Sequence, residues 1–273
     1  MHASRCLCED AALGLPRRVV SRHPHWLVPD WGARGVASLM TTRDGGVSSA
    51  PFDSLNLRDG LGDDAAAVLL NQDRFAAATG GVPIYLNQVH GRQVLRLAGD
   101  PAALRAARVD ADASVTSEVG LACTVLVADC LPVLFAAPAG RAVGAAHAGW
   151  RGLAAGVLEA TLEQVCALAD CPSSQVLCWL GPCIGPRHFE VGADVLLAFG
   201  VEPARAGGSA FKAIGGGKWL ADLPELARQR LRRAGVIALH GGQWCTFSQP
   251  ERFYSFRRQR DTGRMAAAVW ISG

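Results

Sequence analysis

The chain holds 273 residues, half of them apolar and 19% charged, with 27 Lys and Arg against 24 Asp and Glu. This is the composition of a globular domain with one large core, and it excludes a disordered chain. A net charge of +3 is too small to mark a nucleic-acid surface.

The first twenty residues, MHASRCLCEDAALGLPRRVV, carry no apolar core of a secretory or transit peptide. The expected compartment is the reducing cytoplasm, where the nine cysteines are free thiols, core residues or ligands rather than a disulfide frame. Residues 1–34 have little periodicity, three prolines, and two Trp (Trp26, Trp31) that read as exposed. They are expected to form an N-terminal arm packed on a single domain of residues 35–273.

Residues 36–42 (VASLMTT) read as a strand, followed by the Gly45–Gly46 turn and a polar loop. Asp63 and Asp64 can cap a helix over 65–79, with Val68, Leu69 and Phe75 on one face. Residues 83–91 and 92–99 read as a strand pair joined at His90, Gly91 and Arg92, and PAALRAAR as a helical piece. The most apolar stretch, residues 121–139, is broken by Asp129, Cys130 and Pro132. It therefore reads as two buried strands rather than a membrane span.

AVGAAHAG continues as a strand, and Gly152 opens a helix over 153–169 with Leu153, Val157, Leu162, Val165 and Leu168 at helical spacing. A strand over 174–181 and a short helix over 194–199 follow. Gly-rich residues 205–218 read as a mobile loop. Asp222 and Glu225 have the spacing of a capping box before ELARQRLRRAG. MAAAVWIS is the last strand. Strands and helices interleave without a strict βαβ rhythm, which predicts an α+β or mixed-sheet α/β domain.

Three residues stand at strand ends, where side chains can converge on a rigid scaffold: His90, Cys130 and His147. One thiolate and two imidazoles can bind zinc and leave one tetrahedral position for water or substrate. Their spacing matches no local zinc signature, so a buried core thiol and a hydrogen-bonded core histidine stay open as readings. The HAGWRG turn leads into a helix N-terminus, a natural anion site, and Arg151 in its first turn opposes the helix dipole unless a ligand such as phosphate or a carboxylate pairs with it. Arg43, beside the Gly45–Gly46 turn, is a second anion candidate. Cys183 reads as packing or as a second thiol of the site, and Asp129 as structural rather than catalytic, pointing away from Cys130 if both are extended. Gly215–Lys218 is not a phosphate loop, because Trp219 stands where Ser or Thr is required.

Segments along the chain resemble the laccase-domain family, long labelled polyphenol oxidase and now regarded as zinc-dependent purine nucleoside phosphorylases with adenosine deaminase activity. They are TTRDGGVS (41–48), SLNL (54–57), QVHG (88–91), DADA (110–113), ADCLPVL (128–134), HAGWRG (147–152), GPCIGP (181–186) with FEV (189–191), and FYSFRR (253–258) with TGRM (262–265). The resemblance implies an α/β sandwich of mixed sheets with flanking helices, similar to the catalytic domain of cytotoxic necrotizing toxins. It implies His90, Cys130 and His147 as metal ligands and catalytic centre. It implies purine nucleosides and phosphate as substrates, with no nucleic-acid or membrane partner. Arg43, Asn56 and Arg151 become candidates for phosphate or sugar, and Glu190 is the nearest motif carboxylate for a proton shuttle.

Copper is an adventitious alternative to zinc, but a four-copper laccase needs many His-X-His pairs. The chain has seven histidines, with His23 and His25 as the one such pair. Two rival functions are a metal-independent hydrolase of amides or peptidoglycan precursors, with Cys130 and His147 as nucleophile and base, and a non-enzymatic metal-holding module.

Overall fold

The computed structural model describes residues 23–205, 207–208 and 210–273. Two mixed sheets face each other. The first has the order β1 (Val36–Met40), β13 (Met265–Ile271), β5 (Leu121–Val127), β2 (Val82–Ile84). The second runs β12 (Ala238–Gly241), β8 (Leu177–Leu180), β6 (Leu131–Ala136), β7 (Val143–Ala148), β4 (Ala113–Thr116), β3 (Val94–Arg96). A small third sheet joins β10 (Phe211–Gly215), β11 (Lys218–Ala221) and β9 (Glu190–Val191). The helices are α1 (Ala65–Ala78), α2 (Pro101–Ala107), α3 (Trp150–Ala155), α4 (Val157–Ala169), α5 (Ala193–Ala198) and α6 (Leu223–Arg233).

The period of two along the buried strands builds the layers. In β5, Cys123 and Val125 meet Leu134 and Val143 of the second sheet. Ala122 and Leu126 turn the other way, toward Phe75 of α1. In β6, Leu131, Val133 and Phe135 face Leu158, Leu162 and Val165 of α4. Both faces of each central strand are covered, which is why these segments read as unbroken apolar runs. The result is a helix–sheet–sheet–helix stack, the mixed α/β sandwich that was expected.

Four expectations are corrected. Residues 83–99 are not a hairpin: β2 pairs parallel with β5, and β3 pairs parallel with β4 in the other sheet. The helix after HAGWRG is broken at Gly156, whose φ of 97° is left-handed. Residues 205–218 include β10, and Gly215, Gly216 and Gly217, all at positive φ, turn it into β11. Trp26 and Trp31 are buried rather than exposed, Trp26 against Phe75. Residues 1–22 of the expected arm lie outside the described residues.

The seven described cysteines are all free thiols. No helix among the described residues is long and apolar enough to cross a membrane.

Candidate metal centre

The chain crosses from the first sheet to the second between β5 and β6, and Cys130 stands on that crossing. Asp129 makes the corner with a φ of 88°, so the two residues are not in extended chain. Its side chain is engaged structurally, as anticipated. Oδ1 accepts from Thr246 Oγ1 at 2.6 Å, and Oδ2 accepts from Ser255 Oγ at 3.0 Å and from the Arg257 amide at 2.7 Å. His147 is buried near the end of β7, paired across from Pro132. His90 lies on the loop before β3 and is exposed.

The ligand-capable atoms of His90, Cys130 and His147 all lie within 4.8 Å of one another. Cys130 Sγ is 3.8 Å from His90 Nε2, and the two imidazoles meet edge to face at 4.9 Å between centroids. Residues far apart in the chain therefore converge on a common point, and a neutral imidazole pair with one thiolate is a donor set suited to zinc.

Asp112, at the entry to β4, holds two of the three in place. It is fully buried. Oδ1 accepts from the His90 amide at 2.9 Å and pairs with His147 Nδ1 at 2.8 Å. Oδ2 accepts from the amides of Val89 at 3.2 Å and Gly91 at 2.6 Å. Three successive N–H groups thus close on one carboxylate and stabilise the positive φ (60°) of His90. A proton held on His147 Nδ1 leaves Nε2 with its lone pair free to ligate. Burial opposes the Asp112 charge, but the hydrogen bonds from His147 and Gly91 hold the carboxyl below its ordinary value. Gln88 clamps the same loop to β5, with paired 2.8 Å hydrogen bonds to the Leu126 backbone.

Burial also opposes a Cys130 thiolate, yet the charge and hydrogen bond of His147, with His90 beside them, outweigh it and pull the thiol down to about 6. Burial disfavours a charged His147, but Cys130 and Asp112 push it up to about 9.

The glycines of HAGWRG are there for room. A Cβ on Gly149 would lie 2.8 Å from His90 Cδ2 and 3.0 Å from Cys130 Sγ, and one on Gly152 would lie 2.7 Å from the Gly91 carbonyl. Gly149 has a φ of −64°, which any residue adopts, so its requirement is purely spatial. Gly149→Ala is expected to keep the fold and to weaken metal binding by about ten-fold, since overpacking costs about 1–3 kcal/mol. Titration against a metal indicator beside a circular-dichroism spectrum checks this. Unchanged affinity would contradict it.

The three donors open on a cleft of about 200 Å³, lined also by Arg58, Gln88, Leu126, Ala128, Phe256 and Arg264. The other candidates from sequence do not line it. Arg43 spends its guanidinium on Asp53, at 2.9 and 3.0 Å, and on the Pro250 carbonyl at 2.9 Å. Arg151 is exposed and lies over the Trp150 ring. Glu190 is in β9, paired at 3.9 Å with Lys218. Cys183 is fully buried packing.

Asn56 is buried one layer behind the cleft. Its Oδ1 accepts from the backbone amides of Arg58 at 3.1 Å and Arg264 at 2.9 Å, and its Nδ2 donates to the Arg58 carbonyl and to Asp63. It joins the two cleft arginines rather than entering the cleft. Sequence reasoning did not single out Arg58 and Arg264, which line the cleft, or Asp112, which braces His90 and His147. Arg264 and Asp112 lie inside recognised motifs, and Asp112 is an acid at the head of a buried strand, a position that demands a partner.

A family model described as multi-copper polyphenol oxidoreductase laccase matches residues 37–272. Purine nucleoside phosphorylase PA4543 of Pseudomonas aeruginosa is 49% identical over 247 residues, covering 90% of this chain and 98% of that protein. Purine nucleoside phosphorylase YfiH of Escherichia coli is 49% identical over 248 residues, again covering 90% and 98%. Among solved structures, Neisseria meningitidis protein NMB0706 superposes with a TM-score of 0.83 at 44% identity, covering 91% of this chain and all of that one. YlmD from Geobacillus stearothermophilus follows with a TM-score of 0.78 at 30% identity, over 88% and 93%. With its motifs, its sandwich and its whole body matched in this way, the chain belongs to the polyphenol oxidoreductase laccase family.

Proposed function

We propose that this protein is a zinc-dependent purine nucleoside phosphorylase acting on adenosine, inosine and methylthioadenosine, with adenosine deaminase activity, and that it works in the cytoplasm. His90, Cys130 and His147 are its metal ligands. The observation that most supports the reading is a shared cleft: the two imidazoles and the thiol line the same volume as the guanidinium groups of Arg58 and Arg264. The relatives named as purine nucleoside phosphorylases supply the reaction class. Three protein donors are the count of catalytic zinc sites, and four that of structural ones. Zinc, when bound, supplies Lewis-acid polarisation that suits both phosphorolysis and deamination.

The chain's own residues do the rest. Arg58 and Arg264, both anchored by Asn56, bring two like charges together on one wall. Burial, and Arg58 beside it, already hold Arg264 below its ordinary value. An anion between them relieves that cost, and forked guanidiniums match phosphate oxygens. They position phosphate for attack on the ribose C1′ as the bond to the purine breaks. Leu126, Ala128 and Phe256 offer the base an apolar wall that keeps water away. Arg43 and Arg151, candidates by motif, are at most indirect supports of this arrangement.

Metal-loaded protein incubated with each nucleoside, with and without phosphate, tests the reading by chromatography of the products. Phosphate-dependent release of base and of ribose 1-phosphate is expected, with inosine or hypoxanthine from adenosine. Release of neither base nor inosine refutes it. Arg264→Gln should raise the KM for phosphate by about ten-fold or more, the size of one charge-assisted hydrogen bond, with less effect on the KM for nucleoside.

The Cys130–His147 pair, polarised toward thiolate and imidazolium and oriented by Asp112, also supports a metal-free cysteine hydrolase. Activity that survives a chelator and falls to thiol alkylation would identify that enzyme instead.

A further inference from the structure

Away from the cleft, α4 ends in a cap that brings two cysteines together. Asp170 takes a left-handed φ of 45°, and the Cys171 amide donates back to the Cys166 carbonyl at 3.1 Å. This six-residue closure is the Schellman arrangement, in which the side chains of its first and last residues touch. That contact is usually made by two apolar residues. Here the two positions are held by cysteines, whose thiols lie near enough for their charges to interact. A disulfide needs α-carbons about 4.4–6.8 Å apart, and the backbone bond holds these two residues side by side. Both thiols are partly exposed and free. Cys178, fully buried in β8, lies close enough to Cys166 for their charges to interact.

We propose that Cys166 and Cys171 are a reversible dithiol–disulfide site, closed by exchange with a small-molecule disulfide of the glutathione class. Burial and the neighbouring Cys171 push the Cys166 thiol up to about 11, which disfavours Cys166 as the first nucleophile. The Cys171 thiolate attacks one sulfur of the small disulfide and expels one small thiolate, giving a mixed disulfide. The like-charge influence of Cys171 on Cys166 is then gone. Cys166 loses its proton to solvent and attacks the Cys171 sulfur, and the second small thiolate leaves. In total, two protein thiols and one small disulfide become one protein disulfide and two small thiols. The new bond ties the last turn of α4 to the chain entering β8. The site shares no residue with the metal centre, so it stands whatever reaction that centre performs.

The test uses the full-length, metal-loaded protein, so that Cys130 is shielded. It is incubated with oxidised glutathione, alkylated, and cleaved on the N-terminal side of Asp170, which parts Cys166 from Cys171. Tandem mass spectrometry should find the two peptides joined through Cys166 and Cys171, not through Cys178 of the same peptide, with the loss of two hydrogens, and a dithiol reductant should separate them. Cys166→Ser should instead accumulate glutathione on Cys171. The proposal is overturned if the wild-type protein retains glutathione on Cys171 without the link, if Cys166 joins Cys178, or if both cysteines are recovered alkylated.

Discussion

Asp112→Asn is expected to weaken metal binding by about 10–100-fold, the usual loss when the partner of a ligating histidine is removed. The isostere keeps the volume but cannot keep the pattern of hydrogen bonds. One oxygen of Asp112 serves His90 and His147, and the other serves Val89 and Gly91. An amide has one acceptor oxygen and one NH2, so whichever way the substituted side chain turns, its NH2 group faces donors. If it faces His147, that ring must present a lone pair at Nδ1 and carry its proton on Nε2, where it can no longer ligate. If it faces Val89 and Gly91, two amides lose their acceptor and the loop that carries His90 loosens. The metal-free variant should also lose about 1–3 kcal/mol of stability, the cost of an unsatisfied buried group. Because the folded state favours the ionised form of Asp112, its stabilisation is present above the ordinary carboxylate range and is lost as the pH falls through its depressed value. The gap between wild type and variant should therefore be full at neutral pH and close on strong acidification. Competition titration of the metal and denaturant unfolding of the two apo proteins provide the readings. Equal metal affinity in the two would show that Asp112 does not set the tautomer of His147.

The same residue shows where sequence reading stops. His90, Cys130 and His147 were legible as unusual residues at strand ends, because apolar runs and glycine turns mark those ends locally. That they meet was not legible from spacing, since their meeting depends on which strands become neighbours. The family motifs joined them, and the fold shows how: the β5–β6 crossing, the end of β7 and the loop before β3 gather at one junction between the sheets. Asp112 and Asn56 act through backbone amides of distant residues, a role that no local pattern announces. The failed hairpin at residues 83–99 has a related cause. His90 and Gly91 look like a tight turn, but their amides are bound to Asp112 and their flank to β5 through Gln88. The loop is therefore pinned open and its two strands go to different sheets. The glycines at 215–217 misled in the opposite sense, reading as part of a mobile loop where their positive φ makes a hairpin turn. Arg43 and Arg151 have the right charge for phosphate, but in this structure Arg43 braces a loop and Arg151 lies over the Trp150 ring.

Asp129→Ala is expected to cost about 3–5 kcal/mol, a lowering of the melting temperature of roughly 10 °C for a chain of this size. Two independent effects add. The carboxylate satisfies Thr246 and Ser255, whose hydroxyls are buried with it, and the Arg257 amide, so three donors from the C-terminal third of the chain lose their acceptor together. Alanine also tolerates a φ of 88° poorly, whereas Asp and Asn visit the left-handed region more readily and Gly does so without penalty. The two effects separate in a series. Asp129→Gly removes the strain but not the lost hydrogen bonds, and Asp129→Asn keeps one acceptor in a tolerated conformation. Stability should fall in the order wild type, Asn, Gly, Ala. The corner made by Asp129 also aims Cys130, and its own carbonyl accepts from the Ile184 amide at 2.9 Å, tying it to the GPCIGP turn. Metal affinity should therefore follow the same order even at temperatures where every variant is folded. Thermal unfolding of the apo proteins measures the first ordering and metal competition the second. If Gly proved worse than Ala, the backbone conformation would not be what the residue at this corner is chosen for. If stability fell while metal affinity stayed constant, the placement of Cys130 would depend on β6 alone.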